Sequence, residues 1–512
     1  PLTVRRHEAP KAAPHLSLRL AREAAAGPIL QSILRSTIRP EMQAKTEGLV
    51  KNHVARLRAM NIRNAAVLVL DNQTRTVAAY VGSSDFNDPT DGGQVDGIRA
   101  VRSPGSTLKP LLYATAIDRG LLTPRAQLLD VPTSFGGYEP VNFDQKFHGP
   151  VTAEFALANS LNVPAVRVLR EVTTPVLVNQ LKKAGFETVK RAGPKLGLSL
   201  VLGGCGVTLE ELTNLFAAFA HGGKFAKARF ITENLAQITR PDLPNGYEYT
   251  YRLPKISWKT GTSFGKRDAW SIGYNARFTV GVWVGNFSGE GVPELSGAAL
   301  ATPLLFDVFN AIDYNAPARW FGQPKGLMQR KVCAASGLPP GEFCERSVLD
   351  AYLPGVTTTP TCQHVKAVFT NPAGTFSYCT RCQPDSGAVR RLYPNLAPEL
   401  LAWYEGERIP YARIPPHNPA CTRVFAEGGP VIVSPLDGGE FFLTKTGNQQ
   451  LALRGQVPNG VGAVFWYVND QLLRKAGPGE TVFFRPQPGK VRIACVDDQG
   501  RKAAVGVVVR WE

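Results

Sequence analysis

Pro104-Gly105 breaks the chain, and Ser106 to Arg119 then shows helical periodicity through Leu108, Leu112 and Ala116. This start is the strongest constraint in the sequence, because it sets Ser106 and Lys109 three residues apart on one helix face, an amine beside a hydroxyl. A serine hydroxyl is a poor nucleophile near neutrality, and a lysine serves as its base only where burial or neighbouring cations lower its pKa. A helix N-terminus adds the positive end of the dipole and free N–H groups that can form half of an oxyanion hole. Spacing alone does not discriminate, since a solvated Lys109 on a serine-capped helix satisfies it equally.

Two further signals follow. Ser160-Leu161-Asn162 closes the helical run Val151 to Asn159, and Lys259-Thr260-Gly261-Thr262-Ser263 lies in a strand-like run that opens at Lys255. Gly261 lets a ligand backbone approach that strand closely. In this order the three signals form the set used by penicillin-interacting serine enzymes.

A chain of 512 residues is too long for one ordinary core, and two or three domains are expected. The 58 Lys and Arg against 41 Asp and Glu give +17, which points to an anionic partner surface. Neither an aromatic-basic motif, a zinc finger nor a Gly-x-x-x-x-Gly-Lys phosphate loop is present, so nucleic acid is not expected as a partner. The chain opens on Pro1, has no signal peptide, and contains no run of the roughly 18 apolar residues that a membrane span needs. It reads as a part of something longer, with any membrane anchor placed before Pro1.

Along the chain, residues 1–60 read as a basic helical linker, with an apolar stripe at Ile29, Leu30, Ile33 and Leu34 and helical spacing from Met42 to Met60. Residues 61–320 hold the three motifs. Ala65 to Leu70 and Val77 to Val81 flank a hairpin turn, Leu209 to His221 is helical, and Lys255 to Thr262, Ala269 to Tyr274 and Thr279 to Val284 suggest an antiparallel meander. Ala298 to Ile312 resembles a closing amphipathic helix.

Residues 321–428 form a Pro- and Cys-rich region holding Cys333, Cys344, Cys362, Cys379, Cys382 and Cys421. In an oxidising compartment these are disulfide candidates; in the cytosol they would hold metal, the rival being a zinc site of Cys379-x-x-Cys382 with Cys362, His364 or Cys421. Cys205 and Cys495, in apolar runs, read as buried free thiols. Residues 429–512 are all β, with strands at Val431–Val433, Leu451–Leu453, Ala463–Val468, Thr481–Phe484, Val491–Cys495 and Ala503–Val509, which suits a small immunoglobulin-like sandwich.

The loop Tyr138-x-Pro140-x-Asn142-Phe143-Asp144, followed by Ala156-Leu157-Ala158-x-Ser160-Leu161-Asn162-x-Pro164-Ala165-Val166, resembles the transpeptidase domain of class A, bifunctional penicillin-binding proteins. The last eighty or so residues resemble the C-terminal domain of the 1C branch. The resemblance implies an α/β (α+β) transpeptidase domain with a central antiparallel sheet flanked by helices, a Cys-rich linker and a C-terminal all-β immunoglobulin-like sandwich. It also implies an exported, periplasmic protein attached to the inner membrane, and this favours the disulfide reading of the six cysteines. No motif of the family's glycosyltransferase domain is present.

By the same resemblance, Ser106 attacks the D-alanyl-D-alanine bond of a peptidoglycan stem peptide and Lys109 accepts its proton. Ser160 relays protons, Asn162 holds the substrate amide and Lys259 supports its neighbours electrostatically. Thr260, Gly261, Thr262 and Ser263 bind the substrate, and the N–H groups of Ser106 and Thr262 make the oxyanion hole. β-Lactams are expected to acylate Ser106, cell-wall synthesis proteins to dock on the last domain, and no metal or organic cofactor is required. Two alternative readings share these motifs. A serine β-lactamase needs a glutamate-held water, and Glu210 and Glu211 near Asn214 lack the required spacing. A β-lactam-sensing receptor domain, which acylates and then signals, would not need the Cys-rich linker and the β sandwich, and against a non-catalytic scaffold with a vestigial site stand the intact Ser106, Lys109, Ser160, Asn162 and Lys259.

Overall fold

The computed structural model describes residues 12–26, 35–135, 137–192, 196–220, 254–314, 320–322, 326–421, 429–444 and 449–511. The stripe expected at Ile29 to Leu34 lies outside the described residues. Two compact units emerge, Pro1–Pro124 with Ala153–Gln329 and Ala351–Thr358, and Arg125–Thr152 with Arg330–Asp350 and Thr359–Glu512. Elements are numbered along the whole chain.

The first unit contains α1 (Pro14–Ala25), α2 (Pro40–Leu57), β1 (Asn64–Asp71), β2 (Thr76–Val81), α3 (Lys109–Asp118), α4 (Ala153–Ala158), α5 (Asn162–Val172), α6 (Thr174–Lys183), α7 (Glu187–Ala192), α8 (Leu209–Ala220), β5 (Ser257–Thr262), β6 (Asp268–Tyr274), β7 (Phe278–Gly285) and α9 (Thr302–Asp313). Its sheet runs β2-β1-β7-β6-β5 with every pair antiparallel. Strands β1, β6 and β7 are buried from end to end because both faces are covered. Val50, Val54 and Leu57 of α2 and Leu304 and Leu305 of α9 pack with Val67, Val69, Val280 and Val282 on one face. On the other, α8 lies so close to β7 that a side chain at Gly281 would strike Thr213 and Leu209. Apolar residues on both sides of a strand give the continuous hydrophobic runs by which the meander was recognised.

The second unit contains β3 (Gln127–Asp130) paired with β4 (Gly149–Thr152), the segment Arg330–Asp350 between β8 (Met328–Cys333) and β9 (Ser347–Tyr352), and a sheet β11-β10-β12 of β10 (Val365–Thr370), β11 (Ser377–Tyr378) and β12 (Val389–Pro394). After α10 (Pro398–Gly406) come β13 (Val431–Ser434), β14 (Glu440–Leu443), β15 (Leu451–Gln456), β16 (Val464–Val468), β17 (Gln471–Ala476), β18 (Val482–Phe484), β19 (Gly489–Asp497) and β20 (Lys502–Trp511). They form two sheets, β13-β15-β18 and β14-β20-β19-β16-β17, which share one core around Leu453, Trp466, Ile493 and Cys495.

Residues 125–152, inside the stretch 61–320 read as one domain, group with the second unit. Local bonds account for this: Arg125 N–H donates to Asp350 Oδ1 at 3.1 Å and Gln127 N–H to the Ser336 carbonyl at 3.1 Å. The loop motif around Asn142 belongs here as well. Its amide donates to both oxygens of buried Asp130, at 2.9 and 2.8 Å, so Asn142 ties the loop down.

Cys333, Cys344, Cys362, Cys379, Cys382 and Cys421, the disulfide candidates, stand unbonded in the structure. All eight cysteines are free thiols. Cys379 and Cys382 sulfurs stand 3.7 Å apart, whereas a disulfide bond is about 2.05 Å long. The six instead divide into two groups of three, each with a histidine in its midst.

Candidate active site

The expected helix from Ser106 begins instead as a 3-10 turn, Gly105–Leu108, with α3 starting at Lys109. Pro110 is the reason. In an α-turn the Ser106 carbonyl would accept the N–H of residue 110, which proline lacks, so it accepts the Lys109 N–H instead. In a 3-10 turn residues three apart eclipse one another, which stacks Lys109 over Ser106 more directly than an α-helix would.

Gly105 enters this turn at φ +53°, and a Cβ there would sit 2.5 Å from the Thr262 carbonyl oxygen and 2.7 Å from its nitrogen. From the other side, a Cβ on Gly261 would strike the Pro104 carbonyl and lie 2.7 Å from Thr107 Cγ2 and 3.3 Å from the Ser106 nitrogen. Two glycines thus let β5 lie directly against the turn that carries Ser106, with the amides of Ser106 and Thr262 beside the same contact.

Ser160 is held in a conformation that favours glycine. Helix α4 ends with the Leu161 N–H bonded to the Ala156 carbonyl at 2.9 Å and the Ser160 N–H to the Leu157 carbonyl at 3.1 Å, a Schellman closure with Ser160 left-handed at φ 56°. A non-glycine residue at such a position costs on the order of 1–3 kcal/mol. The run Val151 to Asn159, read as one helix, is in fact the end of β4 followed by α4, and Asn162 opens α5.

Both lysines are fully buried. Lys109 Nζ donates to the Ser160 carbonyl at 2.6 Å, to Asn162 Oδ1 at 2.7 Å and to the Leu161 carbonyl at 3.0 Å. Ser160 Oγ lies 3.5 Å from it. Lys259 Nζ donates to the same Ser160 Oγ at 2.8 Å and to the Thr260 carbonyl at 2.8 Å. Ser160 therefore bridges two amines contributed by different parts of the chain. Burial pulls the Lys259 pKa down to about 7.

Ser106 and Lys109 thus come from the turn and the start of α3, Ser160 and Asn162 from the junction of α4 and α5, and Lys259, Thr260, Gly261 and Thr262 from the edge strand β5, on which Lys259 and Gly261 share one face and Thr260 and Thr262 the other. Thr262 Oγ1 accepts the Gly297 N–H at 3.0 Å. Ser263 is engaged in the β5–β6 turn, where its buried Oγ accepts the Asp268 N–H at 2.8 Å. The carboxylates considered for a β-lactamase have structural work: Glu211 forms a capping box with Thr208, at 2.8 and 3.1 Å, and Glu210 pairs with Arg19 at 2.9 Å.

Several supporting groups escaped the sequence reading. Trp270 Nε1 donates to the Ser103 carbonyl at 2.7 Å, Ser103 Oγ donates to the Gly203 carbonyl at 2.8 Å, and Gly203, at φ +101°, leaves no room for a side chain against Gly105. The signal was Gly203-Gly204-Cys205-Gly206, a glycine cluster between apolar runs, which marks a close backbone approach.

Residues 65–250 match the family model of the penicillin binding protein transpeptidase domain, and residues 419–508 match the Penicillin-Binding Protein C-terminus Family. Lys259-Thr260-Gly261 falls beyond the first match, so its place in the site rests on geometry. The fold is that of penicillin-binding protein 1A from Haemophilus influenzae, with a TM-score of 0.57 at 16% identity over 70% of this chain and 78% of that one. PonA1 from Mycobacterium tuberculosis, solved in complex with penicillin V, gives a TM-score of 0.52 at 19% identity over 65% of this chain and all of that one. Fold and matched segments together define a penicillin-binding transpeptidase domain joined to a sheet-rich C-terminal region.

Among curated relatives, penicillin-binding protein 1C of Escherichia coli is 31% identical over 506 residues, covering 93% of this chain and 65% of that protein. Penicillin-binding protein 1A of Aquifex aeolicus is 26% identical over 354 residues, 59% of this chain and 45% of that protein. The chain belongs to the class A penicillin-binding proteins, in their 1C branch. It spans about two thirds or less of the length of these relatives.

Proposed function

We propose that this chain is the transpeptidase portion of a peptidoglycan-synthesising enzyme that cross-links stem peptides through an acyl-serine intermediate. The observation that carries the reading is Ser160 Oγ set between the amines of Lys109 and Lys259, at 3.5 and 2.8 Å, on the segment next to the Ser106 turn. Ser106 Oγ would attack the carbonyl between the two terminal D-alanines, its proton passing to Lys109. The new C–O bond gives a tetrahedral oxyanion, and on its collapse the C–N bond breaks and D-alanine leaves with a proton delivered through Ser160. Asn162 would hold the substrate amide, Lys259 with Thr260 and Thr262 the terminal carboxylate, and the Ser106 and Thr262 amides the oxyanion, each donor contributing on the order of 3–4 kcal/mol. Attack by an amine of a second stem peptide then makes the cross-link; attack by water makes a D,D-carboxypeptidase.

β-Lactams would be captured on Ser106 by the same first step. The family assignment supports a periplasmic protein attached to the inner membrane by a segment outside this chain, with a glycosyltransferase domain in the full-length protein and cell-wall synthesis proteins bound by an immunoglobulin-like C-terminal sandwich. The test is release of D-alanine from a synthetic pentapeptide stem with an added acceptor amine. Wild-type protein should release D-alanine and form the linked product, Ser106→Ala neither. Equal release by both would refute the serine mechanism.

A further inference from the structure

Between residues 330 and 421, the buried apolar side chains of the second unit are few: Val332, Cys333, Cys362, Tyr393, Leu400, Leu401 and Ile414 among the described residues. A segment of this size with so small a core needs cross-links of some kind. Disulfides are the ordinary answer in an exported protein, yet the sulfurs are arranged for something else.

Cys333, Cys344, Cys362 and His364 form one group and Cys379, Cys382, His417 and Cys421 another, each with its four donor atoms within 4.8 Å of one another. Three cysteines per group is an odd number, so pairing within a group would strand one thiol in each. The distances match a tetrahedron. Zinc–sulfur bonds of about 2.3 Å and zinc–nitrogen bonds of about 2.05 Å at tetrahedral angles place sulfurs about 3.8 Å apart and sulfur and nitrogen about 3.6 Å apart. In the second group Cys379 Sγ is 3.7 Å from Cys382 Sγ and 3.9 Å from Cys421 Sγ, and Cys382 Sγ is 3.4 Å from His417 Nε2. In the first, His364 Nδ1 lies 3.6, 3.8 and 3.1 Å from the sulfurs of Cys333, Cys344 and Cys362.

The sulfurs are also met by donors, as thiolates require. Ala335 N–H donates to Cys333 Sγ at 3.4 Å, Gly341 N–H to Cys344 Sγ at 3.2 Å, Ser336 Oγ–H to Cys362 Sγ at 2.9 Å and Cys379 N–H to Cys382 Sγ at 3.3 Å. Each group ties together pieces that are otherwise loosely joined. The first links the end of β8, the loop to Cys344 and the residues just before β10; the second links the turn after β11 to the segment that bridges Ser377 with His417.

We propose that the chain binds two structural zinc ions, one at Cys333, Cys344, Cys362 and His364 and one at Cys379, Cys382, His417 and Cys421. Both are Cys3His sites with four protein ligands, the closed form of a structural rather than a catalytic zinc. This replaces the single mixed site considered from the sequence, because Cys362 and His364 belong to a different group from Cys379, Cys382 and Cys421. Soft thiolate ligands in tetrahedral array select zinc over the oxygen-seeking divalent cations.

The test is metal and thiol content of the full chain, purified from its own compartment without chelator or reductant. Elemental analysis and a native mass spectrum should both give two zinc ions per chain, and denaturing thiol titration with chelator should give eight free thiols. Cys344→Ser and Cys421→Ser should each lower zinc from two to one, and the double variant to none; should a variant fail to fold, the wild-type native mass spectrum still decides. Cobalt exchanged for zinc should show the visible bands of tetrahedral thiolate coordination. Zinc below two per chain in the wild type, a mapped disulfide among the six cysteines, or a zinc count that ignores both substitutions would overturn the proposal.

Discussion

In the first unit, β1, β6 and β7 are buried along their whole lengths beneath α2, α8 and α9, and that packing holds two fully buried lysines in place. In the second unit, the outer strands β14 and β17 are largely exposed and the segment 330–421 has little apolar mass of its own. The first can keep costly polar groups such as Lys109 and Lys259 out of water because a large core and their hydrogen bonds offset the desolvation. The second must draw its local order from another source. Burial is thus used for chemistry in one region, and in the other its shortage calls for ligands.

The sharpest way to break this contrast is at Lys109. Replacing it by methionine keeps the buried volume but removes the base, so acylation by a β-lactam should slow by about 1,000-fold or more, measured by stopped-flow. The Ser160 and Leu161 carbonyls and Asn162 Oδ1, left without their donor, should lower stability by about 1–3 kcal/mol or more. Acylation of the folded variant at the wild-type rate would mean that Lys109 serves the fold alone. In the second unit the largest effect should come from the fully buried Trp466. Trp466→Ala should cost about 3–5 kcal/mol in a urea titration, and a cost below about 1 kcal/mol would show that the two C-terminal sheets do not depend on their shared core.

Gly105→Ala places a Cβ against the Thr262 backbone at a left-handed φ. Displacing the Ser106 turn from β5 should lower the acylation rate by about 100-fold, the usual effect of an ångström's misplacement. Ser160→Gly should act in two directions at once. Relief of the left-handed strain should raise stability by roughly 1 kcal/mol, while loss of the bridging hydroxyl slows acylation by about 100-fold; both quantities moving the same way would refute the strain argument. The smallest effect is on pH. A lysine is cationic below its pKa, and Lys259 sits at about 7, so the second-order acylation rate of the free enzyme should decline above roughly pH 7 as the carboxylate partner is lost. Lys259→Arg, which stays charged, should abolish that limb, and an unchanged limb would assign it to another group.

Much of the site was legible because its chemistry is compressed into three short strings whose spacing does not depend on the rest of the fold. The strands of the first sheet were legible because they are apolar on both faces. Less could be read where structure depends on partners distant in sequence. Strands β14 and β17 went unseen because they form the two edges of their sheet: Leu472 and Leu473 of β17 are exposed, and in β14 the exposed Phe442 lies between Phe441 and Leu443, so the sequence shows an unbroken apolar run in place of alternation. The 3-10 turn was hidden because the proline effect falls on a carbonyl four residues back. The grouping of the cysteines was hidden because it depends on His364 and His417 and on segments that spacing alone does not bring together.

The central claim is that Ser106, served by Lys109 and bridged through Ser160, is an acylating nucleophile. Intact-mass spectrometry after incubation with a penicillin tests it directly, on the wild type and on Ser106→Ala, followed over hours. The account predicts a persistent adduct of one penicillin mass on the wild type and none on the variant. An adduct that survives in Ser106→Ala, or rapid drug hydrolysis with no lasting adduct on the wild type, would contradict it.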